Sequence, residues 1–191
     1  GSVLGPVLYT IFTSDMPCVN GIDVATYADD TAFISSNISA AEASNLVQLQ
    51  INDLEIWLTT WNIKVNEQKS VHVTFTLKRG DCPKINLNGT QIPQSNNVKY
   101  LGMCLDRRLT WKDHVKAKRI QVDNKLKKMY WLLGKKSELS LRNKIVLYKT
   151  VLKPVWTYGI QLWGTTSNSN IEIIQRFQSK MLRLKRRMVC F

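Results

Sequence analysis

What this sequence lacks first is positive charge at its start: residues 1–63 contain neither Lys nor Arg. Seven acidic residues make that stretch −7, whereas all 27 basic residues lie in 64–191 beside the other seven acids, a net +20. Such asymmetry points to a polyanionic partner rather than to general solubility. Cysteine and histidine are scarce. Cys18, Cys82, Cys104 and Cys190 form no Cys-x-x-Cys pair, and with only His72 and His114 no zinc site is indicated. Free buried thiols in a reducing compartment are the expectation. No long apolar run is present, so no membrane partner is expected, and internal repeats and low-complexity segments are absent. The chain opens without Met, a charged n-region or a cleavage-site pattern, so no targeting segment is expected and the anticipated location is intracellular, nucleus or cytoplasm.

What is present is organised around Ile22 to Ser36, IDVATYADDTAFISS. Two strand-favouring runs, Ile22–Ala28 and Thr31–Ser35, flank Asp29 and Asp30, residues that tolerate turn backbone. The stretch predicts a tight hairpin with adjacent carboxylates at its tip. Those carboxylates repel each other unless a hard divalent cation takes their oxygens. A solvated turn that happens to hold two Asp is the plainer alternative.

Elsewhere the pattern predicts an α+β chain. A helix is expected from about Pro6 to Ser14, with Val7, Leu8, Ile11 and Phe12 facing a core. Ser39 and Glu42 form a capping box ahead of a helix whose buried face is Ala43, Val47, Ile51, Leu54, Leu58 and Trp61. Alternation over Val71–Leu77 predicts a half-buried strand, and Asn88-Gly89 a hairpin pairing Leu87 with Thr90 and Ile85 with Ile92. A strand over Val98–Leu105 follows, its Gly102 suited to close approach of another backbone or a nucleic acid. From Thr110, capping with Asp113, the chain turns helical, with Val115, Val122, Leu126, Met129 and Leu133 inward before Gly134. A second helix after Ser140 carries Leu141, Ile145, Tyr148 and Leu152 inward and bends at Pro154; a third, near Ser169, buries Ile174, Phe177, Met181 and Leu184. Three such helices make a small bundle. Lys112, Lys116 and Arg119 form one basic row and Arg176, Lys180, Arg183 and Arg187 another, suited to nucleic-acid phosphates.

Gly1-Ser2-Val3-Leu4-Gly5-Pro6, followed by Tyr27-Ala28-Asp29-Asp30, resembles the reverse transcriptases of non-LTR retrotransposons, most like the jockey group. Asn62-Ile63-Lys64-Val65-Asn66 with Lys69-Ser70, Tyr100-Leu101-Gly102, Leu152-Lys153-Pro154, Tyr158-Gly159 and Trp163-Gly164 follow in the family's order, so the resemblance spans nearly the whole chain. It implies the C-terminal part of a polymerase palm over residues 1–106, an antiparallel sheet with packed helices, and an all-helical thumb over 107–191. It also implies RNA-directed DNA polymerase chemistry, in which a DNA primer 3′-hydroxyl attacks a deoxynucleoside triphosphate on an RNA template. Asp29 and Asp30 would hold Mg²⁺, with Mn²⁺ as the substitute ion. Tyr27 would lie against the primer end, Leu101 and Gly102 would seat the primer strand, Gly1 and Ser2 would border the nucleotide pocket, and Lys69 would face the leaving pyrophosphate.

One departure matters. The family pattern carries a third metal carboxylate on a strand ahead of the Gly-Ser-Val-Leu-Gly-Pro block, and Asp15 and Asp23, both behind it, are out of order for that role. Three readings therefore stand: a piece of an active reverse transcriptase, expected to be inactive alone; a degenerate copy without activity; and a non-catalytic nucleic-acid-binding module. Template choice, target site, an attached endonuclease and oligomeric state leave no signature in the residues.

Overall fold

The computed structural model describes residues 3–78, 80, 82–134 and 136–186. It is mixed helix and strand, in two compact units, Gly1–Asn96 and Asn97–Phe191. The strands make three separate two-stranded antiparallel sheets rather than one larger sheet.

The first unit is built around α2 (Ala40–Thr60), on which the hairpin of β1 (Ile22–Tyr27) and β2 (Asp30–Ser35) packs. Ile51, Leu54 and Leu58 are buried at the expected helical spacing, but Trp61 is 41% exposed. Polar residues join that face, buried Ser44 among them. Gln50 is fully buried because its amide is satisfied at both ends, accepting from the Val19 N–H at 2.8 Å and donating to the Pro17 carbonyl at 2.7 Å. Gln48 acts as a strand neighbour, donating to the Asn86 carbonyl at 3.0 Å and accepting from the Asn86 N–H at 2.8 Å. It ties α2 to the small hairpin β3 (Asn86–Leu87) and β4 (Thr90–Gln91). Leu87 pairs with Thr90, and the Ile92 N–H reaches the Ile85 carbonyl at 2.8 Å, the register Asn88-Gly89 predicts. Ile51, Ile85, Leu87 and Ile92 form this unit's small core.

Several local expectations fail here, each for a physical reason. Ser39 does stand at the helix start, yet its hydroxyl makes no cap bond; Asn37 Oδ1 accepts from the Ser39 N–H instead. The run Val71–Leu77 is no strand. It makes a single bridge, with the His72 N–H donating to Pro93 and the Ser95 N–H to His72, and Pro93 has no N–H to extend it. The first helix, α1 (Leu4–Phe12), buries nothing: Val7, Leu8 and Ile11 are each more than half exposed. Phe12 does meet the unit, its ring 4.8 Å from Trp61 and 6.4 Å from Trp57. Cys18 is exposed rather than buried.

The second unit opens with a hairpin. Where one strand over Val98–Leu105 is expected, β5 (Asn97–Tyr100) and β6 (Met103–Asp106) pair antiparallel about Leu101-Gly102. Both turn residues have positive φ, 45° and 76°, the two-residue turn whose twist matches a hairpin. Behind it come α3 (Lys112–Lys128), α4 (Tyr130–Leu133), α5 (Leu141–Leu147), a π-helical turn (Tyr148–Leu152), α6 (Lys153–Thr157), α7 (Ile160–Trp163) and α8 (Asn168–Arg186). The bend expected at Pro154 is realised as the π-turn, and Ser140 caps α5 by accepting from the Asn143 N–H. The core gathers Met103, Val115, Val122, Leu126, Leu133, Leu152, Trp156, Phe177 and Met181 among others.

Two corrections apply in this unit as well. Trp111, not Thr110, holds the N-cap position of α3, and the Thr110 hydroxyl reaches the helix only through a long bond accepted from the Lys112 N–H at 3.5 Å. Asp106 fastens the turn ahead of α3, accepting from the Thr110 N–H and hydroxyl at 3.0 Å each and from the Trp111 N–H at 2.9 Å. Leu141 is 37% exposed, and the buried place near that turn goes to Lys144, whose ammonium donates to the Gly134 and Ser137 carbonyls. Leu184 lies outside the described side chains.

Candidate active site and nucleic-acid surface

The β1–β2 hairpin turns through Ala28 and Asp29, one residue earlier than the pattern suggests, so Asp30 is a strand residue paired with Tyr27. Ala28 carries φ 51°, a conformation costing a residue with a Cβ roughly 1 kcal/mol or more. Strand alternation then sorts the side chains. Asp23, Ala25 and Tyr27 share one face with Asp30, Ala32 and Ile34; Ile22, Val24 and Phe33 share the other. The tip thus sets the exposed Tyr27 ring beside the Asp30 carboxylate, with the Asp29 carboxylate next to it at the turn. Among the described residues neither carboxylate receives a hydrogen bond or an ion pair.

Hard carboxylate oxygens of this kind match Mg²⁺ in chemistry. Their number is short: among the described residues no group of three or more His, Cys, Asp or Glu comes together. Asp15 is committed elsewhere, accepting from the Trp57 indole at 3.0 Å and the Trp61 indole at 3.2 Å. Asp23 shares Asp30's face but pairs with Ile34, four residues along the strand and about 13 Å away. Neither completes an ion site.

Lys69 is exposed on a separate turn, its N–H held by Asn66. Beside it, the hydrogen bond from Asn88 holds the Glu67 carboxyl below its usual range. No contact joins Lys69 to Asp29 or Asp30 among the described residues. Gly1, Ser2 and Arg187 lie outside the described residues.

In the second unit the Leu101-Gly102 turn is held from below. The Tyr158 hydroxyl donates to the Leu101 carbonyl at 2.8 Å, and a Cβ built on Gly102 would stand 3.5 Å from the Tyr158 ring. Tyr158 is itself fixed, because the Trp163 indole donates to its carbonyl at 3.1 Å. Next to it, Gly159 has φ 65° and lies so close to Met103 that an added Cβ would meet the sulfur at 2.6 Å. Three blocks separate in sequence, Tyr100-Leu101-Gly102, Tyr158-Gly159 and Trp163-Gly164, therefore form one packed unit. The Lys118 ammonium stands 5.4 Å from the centre of the Tyr158 ring. Sequence reasoning passed over Lys118 and Lys99, and it gave Tyr158 no role although its block stood out.

The basic rows divide. Lys112 and Lys116 are exposed on α3, but Arg119 turns inward: it pairs with Asp123 and lies 4.7 Å over the Phe177 ring. On α8, Arg176 is bonded to Glu172 at 2.7 Å, an exposed pair, whereas Lys180 and Arg183 project into solvent without a partner among the described residues. No described helix is long and apolar enough to cross a membrane.

The sequence profile of the reverse transcriptase (RNA-dependent DNA polymerase) family matches residues 1–105, more than half of the chain. The chain is 38% identical over 191 residues to the RNA-directed DNA polymerase from mobile element jockey of Drosophila funebris. It is 41% identical over 189 residues to the probable RNA-directed DNA polymerase from transposon X-element of Drosophila melanogaster, and 39% over 193 residues to that from transposon BS of the same species. Each match covers 96% of this chain and 21% of the relative, so the chain spans about a fifth of the length of the curated relatives it matches. No solved structure matches it significantly. The match over residues 1–105 and the extent of these identities settle the family: the chain belongs to the reverse transcriptases.

Proposed function

We propose that this chain is the part of a jockey-like RNA-directed DNA polymerase that presents the catalytic aspartate pair and holds primer and template, with palm over residues 1–106 and thumb over 107–191. The reading rests above all on the β1–β2 tip, where two carboxylates without a partner among the described residues stand beside an exposed Tyr27 in a reverse transcriptase chain. Asp29 is the main metal-holding carboxylate and Asp30 the supporting one. Tyr27 lies against the primer end, Leu101 and Gly102 seat the primer strand, and Lys69 faces the leaving pyrophosphate, with Gly1 and Ser2 bordering the nucleotide. When bound, Mg²⁺ lowers the charge cost of bringing the primer 3′-hydroxyl to the α-phosphate of a deoxynucleoside triphosphate. Asp29 and Asp30 then do two things: they fix the place of that charge and leave room beside Tyr27 for the sugar of the last primer nucleotide.

The missing third donor favours a second, narrower statement: these 191 residues hold nucleic acid but do not polymerise by themselves. Water and substrate phosphate can complete the octahedron of one Mg²⁺, but two-metal catalysis needs both ions placed side by side, and two adjacent carboxylates at a hairpin tip offer too few bridging oxygens for that. Primer extension by the purified chain on an RNA template is expected to be undetectable across a magnesium series. A longer chain that includes the preceding part of the polymerase is expected to extend. There, Asp29→Asn should lower extension more than about 100-fold, beyond what loss of an outer-layer partner costs, while primer–template binding stays near normal. Extension that survives Asp29→Asn would refute the assignment of the aspartate pair.

A further inference from the structure

A cation tied to the Leu101-Gly102 turn through Tyr158 belongs to neither basic row. Lys118 on α3 is half-buried, its ammonium laid over the Tyr158 ring at 5.4 Å, while the same Tyr158 grips the Leu101 carbonyl. Lys99 is the exposed β5 residue paired with Cys104, two positions before the turn. Burial, and then the charge of Lys99, hold the Lys118 amine below the usual lysine range, so the two ammoniums feel each other. Neither has an ion-pair partner among the described residues. The carboxylates whose charge reaches neighbouring Cys104 pair with neither lysine: Asp106 accepts the Thr110 and Trp111 hydrogen bonds, and Asp113 forms no ion pair among the described residues. A pair of like charges, one partly withdrawn from water, is unfavourable as it stands. A doubly coordinated anion between them would remove that penalty.

We propose that Lys99 and Lys118 form a two-lysine clamp for one phosphodiester of the nucleic-acid strand that crosses the Leu101-Gly102 turn, with Tyr158 as the positioning residue that fixes both the turn and the Lys118 head group. This deepens the reading of Leu101 and Gly102 as a primer seat and rests on it. The site recognises phosphate, not base, so it tolerates any sequence. Tyr158 carries no charge to the phosphate and acts only through geometry.

The test is fluorescence anisotropy of the full chain with a short RNA–DNA hybrid over a salt series. Lys99→Gln and Lys118→Gln should each weaken binding roughly three- to tenfold near 0.1 M salt and flatten the salt slope by up to about one. Because the two share one phosphate, the double variant should lose less than the product of the singles. Lys118→Arg should keep the slope, and Tyr158→Phe should weaken binding with the slope unchanged, a split that a purely structural role would not produce. Should Lys118→Gln fail to fold, Lys99→Gln, on an exposed strand position, still decides the matter. Wild-type slope and affinity in both lysine variants, while Lys180→Ala weakens binding, would overturn the clamp and leave the proposed primer–template reading intact. No binding of the hybrid by the wild-type chain would overturn both. Deoxynucleoside triphosphate, titrated separately, should bind all variants alike; a loss confined to that arm would place the lysines on the triphosphate and refute the strand assignment.

Discussion

At the scale of single residues, two glycines and a histidine make the sharpest tests. Gly102 and Gly159 both sit at positive φ, but only Gly159 has a neighbour in the way. Gly102→Ala meets the Tyr158 ring at an ordinary distance and should cost about 1 kcal/mol, the backbone term alone. Gly159→Ala must also displace buried Met103, and about 2–4 kcal/mol is expected. Chemical denaturation of the two variants checks the order; equal losses would show that Met103 yields freely. His114 is the second case. It is buried between Trp111 and Trp163, its Nδ1 accepting from the Cys104 N–H at 3.1 Å. Burial, and then Lys118, hold its imidazole down at about 4. Unfolding releases a ring that takes a proton below about pH 6.5. Its contribution is therefore whole above pH 6.5, is lost as pH falls from 6.5 toward 4, and stops shrinking below that. His72, also lowered by burial, acts in the same direction. The melting temperature should fall over that window, and His114→Gln should remove much of the fall. An unchanged pH profile in the variant would contradict this account.

At the scale of elements, the start of α3 depends on one carboxylate. Burial alone would raise the Asp106 carboxyl, but the hydrogen bonds from Thr110 and Trp111 outweigh it and hold it below the usual range. These bonds keep Leu109 and Trp111 at positive φ, 50° and 61°, and Thr166 and Asn170 add bonds to the Thr110 carbonyl. Asp106→Ala should therefore cost about 1–3 kcal/mol, the usual range for lost charge-assisted bonds, and loosen amide exchange protection chiefly in the first turn of α3. Protection lost evenly along α3 would count against a local role. The Thr110 hydroxyl does reach the Lys112 N–H, at 3.5 Å, but the carboxylate that fastens the turn from four residues earlier leaves no periodic trace in the sequence. The Asn88-Gly89 hairpin, the inward faces of α2, α3 and α8 and the helix start after Ser140 were legible, because each is encoded within a few consecutive residues. The absence of a strand over Val71–Leu77 was not, nor was the exposure of α1, whose helix itself was expected. Alternation and helical spacing name an apolar side but not the neighbour that covers it. The aspartate tip was legible to within one residue; the Tyr158–Leu101 bond, spanning 57 positions, was not.

At the scale of the molecule, charge is partitioned between the compact units. Residues 97–191 hold 22 basic and 5 acidic residues, net +17, while residues 1–96 net −4. Binding to any nucleic-acid duplex should therefore weaken steeply with salt and come chiefly from the second unit's lysines and arginines. Lys180→Ala with Arg183→Ala should weaken binding about equally for unrelated sequences, measured by anisotropy. Arg119→Ala should act differently, lowering stability through lost contact with Phe177 and Asp123 more than it lowers affinity. A loss confined to one nucleic-acid sequence would mean that bases, not phosphates, are being read.

Since the chain has only two histidines, its imidazole proton spectrum is nearly empty, and the buried ring next to Lys118 becomes a resident reporter of the charge above it. Any anion drawn onto Lys118 offsets the field that helps hold the ring neutral. Occupancy at the turn should then be readable, in a nuclear magnetic resonance titration with no label attached, as an upward drift of the His114 midpoint while that of His72 stays in place.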